Sequence, residues 1–176
     1  PPRSRGSSKS SPDAPGGGSI SAYLGALGAA LAAMVANLSS HKAGWDDRWQ
    51  EFSDQAVKAQ RIKDELLALV DEDTDSFNRV MAAFGLPKNT PEEKAARSAA
   101  IQEATKYAIE VPIRTMRRTF DAFEVIRYVA EHGNPNSVTD AGVGALCARS
   151  AVMGAFLNVK INAAGLKDQA FVDEIL

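Results

Sequence analysis

Between Asp13 and Leu38 the chain reads DAPGGGSISAYLGALGAALAAMVANL, with no charged residue after Asp13. Three glycines follow a proline and lead into a helix that is bulky and apolar on one face and very small on the other. Ile20, Leu24, Leu27, Leu31, Met34 and Leu38 advance in alternating steps of four and three, the seam of a helix packed in a bundle. Gly25, Gly28, Ala29, Ala32, Ala33 and Ala36 leave the remaining surface without bulk, so neighbours can approach on several sides. Such a helix belongs at the centre of an assembly. Its length also suits a bilayer core. Alanine and glycine gain little in hydrocarbon, however, and Ser21, Tyr23 and Asn37 add cost. With Lys42, Asp46, Asp47 and Arg48 following and no second span expected, a buried helix outside any membrane is the better reading.

The chain has 176 residues, enough for one sizeable domain. Lys plus Arg total 20 against 22 for Asp plus Glu, a net charge of -2 that argues against a nucleic-acid partner, which would normally meet a basic stripe. A single cysteine, Cys147, excludes an internal disulfide, and with only His41 and His132 besides, a structural zinc site is not expected. A reducing cytoplasm fits this usage. Residues 1–13 are rich in Pro and Ser without an apolar anchor and read as a disordered tail, ahead of one helical domain over 14–176. The absence of an initiating Met and the end inside a helical pattern suggest a piece of something longer.

Four long helices and a short fifth are expected, with no strand-like alternation, and the fold class is an all-α up-down bundle. The second helix runs from about Asp46 to Phe84 and closes at Gly85-Leu86-Pro87. Thr90 caps the third, with Pro91 in its first turn, Glu92 and Glu93 beside the dipole, and a bend at Pro112. Thr139 or Asp140 caps the fourth, which runs to about Ala164, and the last begins at Asp168.

On the second helix Ile62, Leu66, Leu69, Phe77, Val80 and Phe84 keep bundle spacing, and the position between Leu69 and Phe77 is Asp73. Asp71 and Asp75 point roughly 160 degrees away on either side. A carboxylate at an apolar position costs several kcal/mol unless paired or protonated, and desolvation would raise its pKa toward the range of a general acid or base. An aspartate hydrogen-bonded to a neighbouring helix for purely structural reasons fits the pattern as well.

Several motifs then narrow the reading. PGGGS at Pro15 to Ser19, VDEDTDSF at Val70 to Phe77, LPKNTPEEKAAR at Leu86 to Arg97, Glu110-Val111-Pro112, GNPNSVTD at Gly133 to Asp140 and LNVKIN at Leu157 to Asn162 occur in this order. Together they resemble the cyclodeaminase domain of formimidoyltransferase-cyclodeaminase, whose relatives include stand-alone methenyltetrahydrofolate cyclohydrolases. The resemblance implies an all-helical folate enzyme that pairs as a homodimer or higher oligomer through its long helices. A fused or separate formimidoyltransferase domain is a possible neighbour. It implies ring closure of 5-formiminotetrahydrofolate to 5,10-methenyltetrahydrofolate with loss of ammonia, a lyase reaction of histidine degradation, with the cyclohydrolase reaction as the alternative. A helical module that only mediates oligomerisation is the more distant one. The substrate is a tetrahydrofolate derivative, and neither metal nor prosthetic group is called for.

The second aspartate of the family's D-x-D segment is assigned to catalysis, and that position here is Asp73. Gly16, Gly17, Gly18 and Ser19 are expected at the substrate, the glycines through backbone geometry and free amides at a helix start. A tight packing turn is the other reading. Asn158 and Asn162, one turn apart, face the pterin or bond a neighbouring backbone. Asp140 bonds substrate or caps its helix. Lys42, Lys88, Arg114, Arg117 and Arg118 are the candidates for a folate glutamate tail, although most such residues only solvate a face. Lys160 is given no catalytic role. His41 and His132 are helix-end partners, Cys147 is core, and Trp45, Trp49 and Phe52 are core or dimer contacts, with pterin stacking the lesser reading.

Overall fold

The computed structural model describes residues 16–176, so the expected tail lies outside them. They form α1 (Gly17–Ser40), α2 (Trp49–Phe84), α3 (Pro91–His132), a 3-10 turn (Pro135–Ser137), α4 (Val138–Ala163) and α5 (Gln169–Ile175), with no strand among the described residues. Short loops join consecutive helices side by side as an up-down bundle. The expected start of α3 is observed in full: Glu93 N donates to Thr90 Oγ1 at 3.2 Å, and Thr90 N donates to the Glu93 carboxylate at 3.2 Å, with Pro91 in the first turn. The fourth helix starts differently from expectation. Pro135 sets the backbone for a 3-10 turn that feeds straight into α4, so Ser137 takes the cap position and Thr139 and Asp140 fall in the first turn.

Helix α1 packs against α2, α3 and α4, which makes it the centre of the bundle. The face it buries is the reverse of the expected one. Ala22, Ala26, Ala29, Ala32 and Ala36 are at most 2% exposed, whereas Ile20 and Leu38 of the leucine seam are 45% and 47% exposed. Backbone proximity is the reason. A Cβ built on Gly28 would lie 2.8 Å from Gly144 O, and one on Gly144 would lie 3.2 Å from Gly28 O. Three neighbours fit around α1 only where it carries no bulk, and the larger side chains are left outside. Helix α4 repeats the arrangement, burying Ala141, Gly144, Ala148, Ala151 and Ala155 and exposing Leu146, Leu157 and Ile161. Both helices are long and apolar enough to cross a membrane by length and composition, which corrects the expectation that only the first would be. In α1, 61% of that apolar window is buried inside the bundle, against 28% for the segment containing α4.

The stripe on α2 holds from Phe52 through Ala56, Ala59, Ile62 and Leu66 to Leu69, all buried. Past Asp73 it changes: Ser76 and Ala83 turn inward, and Phe77 and Phe84 are exposed. Length explains this. With 36 and 42 residues, α2 and α3 outrun α1 and α4 with 24 and 26. The excess is roughly 15–25 Å at 1.5 Å per residue. Beyond Asp73 the four-helix section therefore gives way to a two-helix hairpin. Helix α5 packs near its base, where Phe171, Val172 and Ile175 meet a cluster of Ile109, Val159, Ala163 and Leu166. The step between the two sections leaves a hollow.

Candidate active site

That hollow is a cavity of about 320 Å³, within the range of small-molecule sites. The start of α1 contributes Gly16, Gly17, Gly18 and Ser19 to its wall, α2 contributes Asp73, α3 contributes Ala108, and α4 contributes Asn158 and Asn162. Seven of the eight site residues read from the sequence thus come together, from segments far apart in the chain.

Asp73 is half-buried, and its setting is more polar than the stripe suggested. Ser19 Oγ donates to Asp73 Oδ2 at 2.8 Å, and Ser19 Oγ also lies 3.3 Å from Thr74 Oγ1. One carboxylate oxygen is thereby held by a hydroxyl, and the expected surround of greasy side chains is replaced by Gly18, Ser19 and Thr74. A hydrogen bond to a carboxylate is a strong, short-range restraint on its orientation.

The glycines serve a purpose other than unusual backbone angles. Among the described residues the one positive φ belongs to Gly44, and Gly16 is extended at φ -89. What matters is space: a Cβ on Gly17 would lie 3.1 Å from Asn158 Nδ2, and one on Gly18 would overlap the Asp73 carboxylate, whereas one on Gly16 meets none of the described residues within 4 Å. The first main-chain bond of α1 runs from Ile20 N to Gly16 O at 3.1 Å. The N–H groups of Gly17, Gly18 and Ser19 therefore have no acceptor within their own helix. All three residues line the cavity.

Both asparagines are tied to backbone through Nδ2, Asn158 to Gly154 O at 2.9 Å and Asn162 to Ala108 O at 3.1 Å. Neither Oδ1 accepts a hydrogen bond from the described residues, and both asparagines line the cavity. Asp140 is half-buried in the first turn of α4, about 27 Å along the helix from Asn158, and stands apart from this cavity. The sequence reading missed Thr74, Ser76, Phe77, Val80 and Ala108, which complete the wall. For the α2 residues the signal was present: positions 76, 77 and 80 follow Asp73 at three, four and seven, one helix face.

The expected tail-binding cations lie elsewhere. Lys42 covers the ring of Trp45, 4.2 Å from its centroid, and Lys88 is exposed in the loop before α3. Arg114, Arg117 and Arg118 line a separate cleft of about 750 Å³ between α2 and α3, together with Glu65, Glu72 and Asp121. There Arg114 and the Tyr107 hydroxyl donate to Glu72, and Arg118 pairs with Glu65 at 2.6 Å. The hydrogen bond from Arg114 holds the Glu72 carboxyl below its ordinary range, and the same carboxylate pushes the Tyr107 hydroxyl up. The larger cleft is thus lined by acid–base pairs, and Glu72 is committed to one of them although it adjoins Asp73 in sequence. His41 caps α1 and His132 ends α3, as expected. Phe52 is buried with Trp45 stacked on it at 5.6 Å, Trp49 is exposed, and Cys147 is half-buried.

The comparisons with known proteins point the same way. The profile of a family described as formiminotransferase-cyclodeaminase matches residues 6–176. The chain belongs to this family. It is 43% identical over 167 residues to a methenyltetrahydrofolate cyclohydrolase of Methylorubrum extorquens, covering 95% of this chain and 80% of that protein. It is 37% identical over 161 residues to the formimidoyltransferase-cyclodeaminase of Gallus gallus, but spans 30% of that longer protein. The crystal structure of a formiminotetrahydrofolate cyclodeaminase from Thermotoga maritima is similar with a TM-score of 0.79 at 29% identity, over 92% of this chain and 76% of the other. The family and the all-helical fold expected from the motifs are both borne out.

Proposed function

We propose that the cavity binds a tetrahydrofolate derivative and that Asp73 moves the proton in reactions of the carbon bridging N5 and N10. The observation that carries this is the Asp73 carboxylate, fixed through Oδ2 by Ser19 at the wall of a cavity that the first turn of α1 lines on one side and Asn158 and Asn162 on the other. Gly17, Gly18 and Ser19 N–H suit the pterin carbonyl, and Asn158 and Asn162 Oδ1 suit its ring N–H and amino groups. Phe77, 42% exposed and one turn from Asp73, offers a flat apolar face for an aromatic part of the folate.

Of two directions, hydrolysis of 5,10-methenyltetrahydrofolate is the better supported, because the relative at 43% identity and 80% coverage bears that name. Water adds to the bridging carbon and gives a proton to Asp73; the carbon–N5 bond then breaks, N5 takes that proton, and the added hydroxyl loses its own as the formyl group forms. One proton is released overall, since the methenyl bridge carries a positive charge. The second reading, favoured by the similarity to a solved formiminotetrahydrofolate cyclodeaminase, runs ring closure. N10 attacks the formimino carbon and loses its proton, and the departing nitrogen gains that proton and one more to leave as ammonia. A single carboxyl group serves both as base and then as acid.

Methenyltetrahydrofolate absorbance tests the two. Its decay with the methenyl compound supports hydrolysis, its appearance with ammonia from 5-formiminotetrahydrofolate supports closure, and neither change would remove Asp73 from folate chemistry. A second copy of the chain, covering the bulky apolar face of α1 and α4, completes this reading.

A further inference from the structure

Pro112 stands inside α3, where it has no N–H to give the carbonyl of Ala108 four residues earlier. That carbonyl is paired all the same, because Asn162 Nδ2 on α4 donates to it at 3.1 Å. Ala108 and Asn162 both line the Asp73 cavity, and Pro112 is buried. Only an N–H can face a carbonyl oxygen, so the amide of Asn162 has one orientation. Nδ2 is committed to α3, and Oδ1, which accepts no hydrogen bond from the described residues, is left at the cavity. Any other residue at position 112 would bring its own N–H to Ala108 O. The amide of Asn162 would then have a competitor for that acceptor and freedom to turn over.

We infer that Pro112 is a positioning residue: the gap it makes in the α3 hydrogen-bond ladder clamps Asn162 so that Oδ1 accepts from an N–H of the reduced pterin. The inference rests on the folate reading above and assigns the part of the ligand that this wall holds. Asn158 supports it, since its Nδ2 is likewise committed, to Gly154 O at 2.9 Å. Two fixed acceptors therefore stand one helical turn apart, about 6 Å. Such a pair matches a flat ring edge bearing more than one N–H, as the amino and ring N–H groups of a pterin do. If Asn162 only patched a defect in α3, restoring the N–H would remove the need for it and leave ligand binding unchanged.

The experiment uses Pro112→Ala, Asn162→Ala and the double variant, with calorimetric affinity for tetrahydrofolate, KM and kcat on 5,10-methenyltetrahydrofolate, and thermal unfolding. Each single variant should weaken binding and raise KM about fivefold, the value of one neutral hydrogen bond, with a smaller change in kcat. Pro112→Ala should unfold at an unchanged or higher temperature, because the helix regains a main-chain bond. The double variant should bind no worse than Asn162→Ala alone, since Pro112 acts only through Asn162. Wild-type affinity in either single variant, or additive losses in the double, would overturn the inference while leaving folate chemistry at Asp73 in place. Should Pro112→Ala not fold, Asn162→Ala decides: wild-type affinity overturns the inference, and the fivefold loss supports it. Failure of the wild-type chain to bind tetrahydrofolate would instead bring down the functional reading itself.

Discussion

Gly18 and Asp73 approach so closely that position 18 has no room for a side chain: a Cβ there would lie 2.6 Å from Asp73 Cγ and 2.7 Å from its Oδ2. The first turn of α1 and the carboxylate on α2 are therefore fitted to each other. Gly18→Ala should push the carboxylate aside and lower kcat/KM about a hundredfold, the usual cost of displacing a catalytic group by an ångström. Gly16→Ala, whose Cβ meets none of the described residues within 4 Å, should stay near wild type. Steady-state kinetics on both variants checks the contrast, and equal losses would make the glycines a matter of helix entry.

Asp73→Asn removes the proton acceptor and keeps the shape, so turnover should fall to background while circular dichroism keeps its helical signal. Ser19→Ala removes only the hydroxyl that holds Oδ2 at 2.8 Å. Its loss should be smaller, about tenfold in kcat, and Ser19→Thr should recover most of it. Full activity in Asp73→Asn would mean that another group moves the proton.

Much of this site was legible in the sequence because it depends on residue type at helical spacing. Asp73 broke an apolar stripe, three glycines opened a helix, and two asparagines stood one turn apart. What escaped was which face points inward. A seam spaced like that of Ile20, Leu27 and Leu38 ordinarily marks the buried side of a helix, but α1 has three neighbours at backbone distance, and only alanine and glycine fit there. The outward turn of Phe77 has a similar origin, because pattern along α2 carries no information on where α1 and α4 stop.

Phe77 offers a direct test of the cavity's apolar wall. Phe77→Ala should raise KM for the folate substrate up to about tenfold with little change in kcat, in line with the loss of one aromatic contact. Phe84→Ala is the control: that ring is exposed on the same helix and lies against Arg97, away from the cavity. If both variants behave alike, the effect belongs to the surface and not to the ligand.

The Glu72–Arg114 pair predicts a pH effect on stability. Its folded-state pKa lies below the ordinary glutamate value of 4.5, with the hydrogen bond from Arg114 the largest cause. A depressed carboxyl stabilises the fold above its unfolded pKa, and that contribution is lost as pH falls through the folded value. Thermal unfolding should therefore shift downward on acidification below about pH 4.5 more steeply in wild type than in Glu72→Gln. The pair is partly exposed, so added salt should shrink the difference. Parallel profiles would assign acid sensitivity to other carboxylates.

The outward faces of α1 and α4 carry Leu27, Met34, Leu146 and Leu157, all more than a third exposed, on two helices that touch along their length. Apolar patches of this kind on one chain mark an association surface. A charge at its middle should be costly to bury and harmless to leave in water. On the proposal that a second copy of the chain covers this face, Leu157→Glu and Leu146→Glu should therefore convert that dimer to a monomer in sedimentation while the helical signal is retained. Leu157 is the more informative of the two, because it adjoins Asn158 at the cavity wall. If the partner helps shape that wall, Leu157→Glu will lose activity in step with dissociation, and raising the protein concentration will restore both together. Activity that stays constant across the dissociation would confine the cavity's function to one chain.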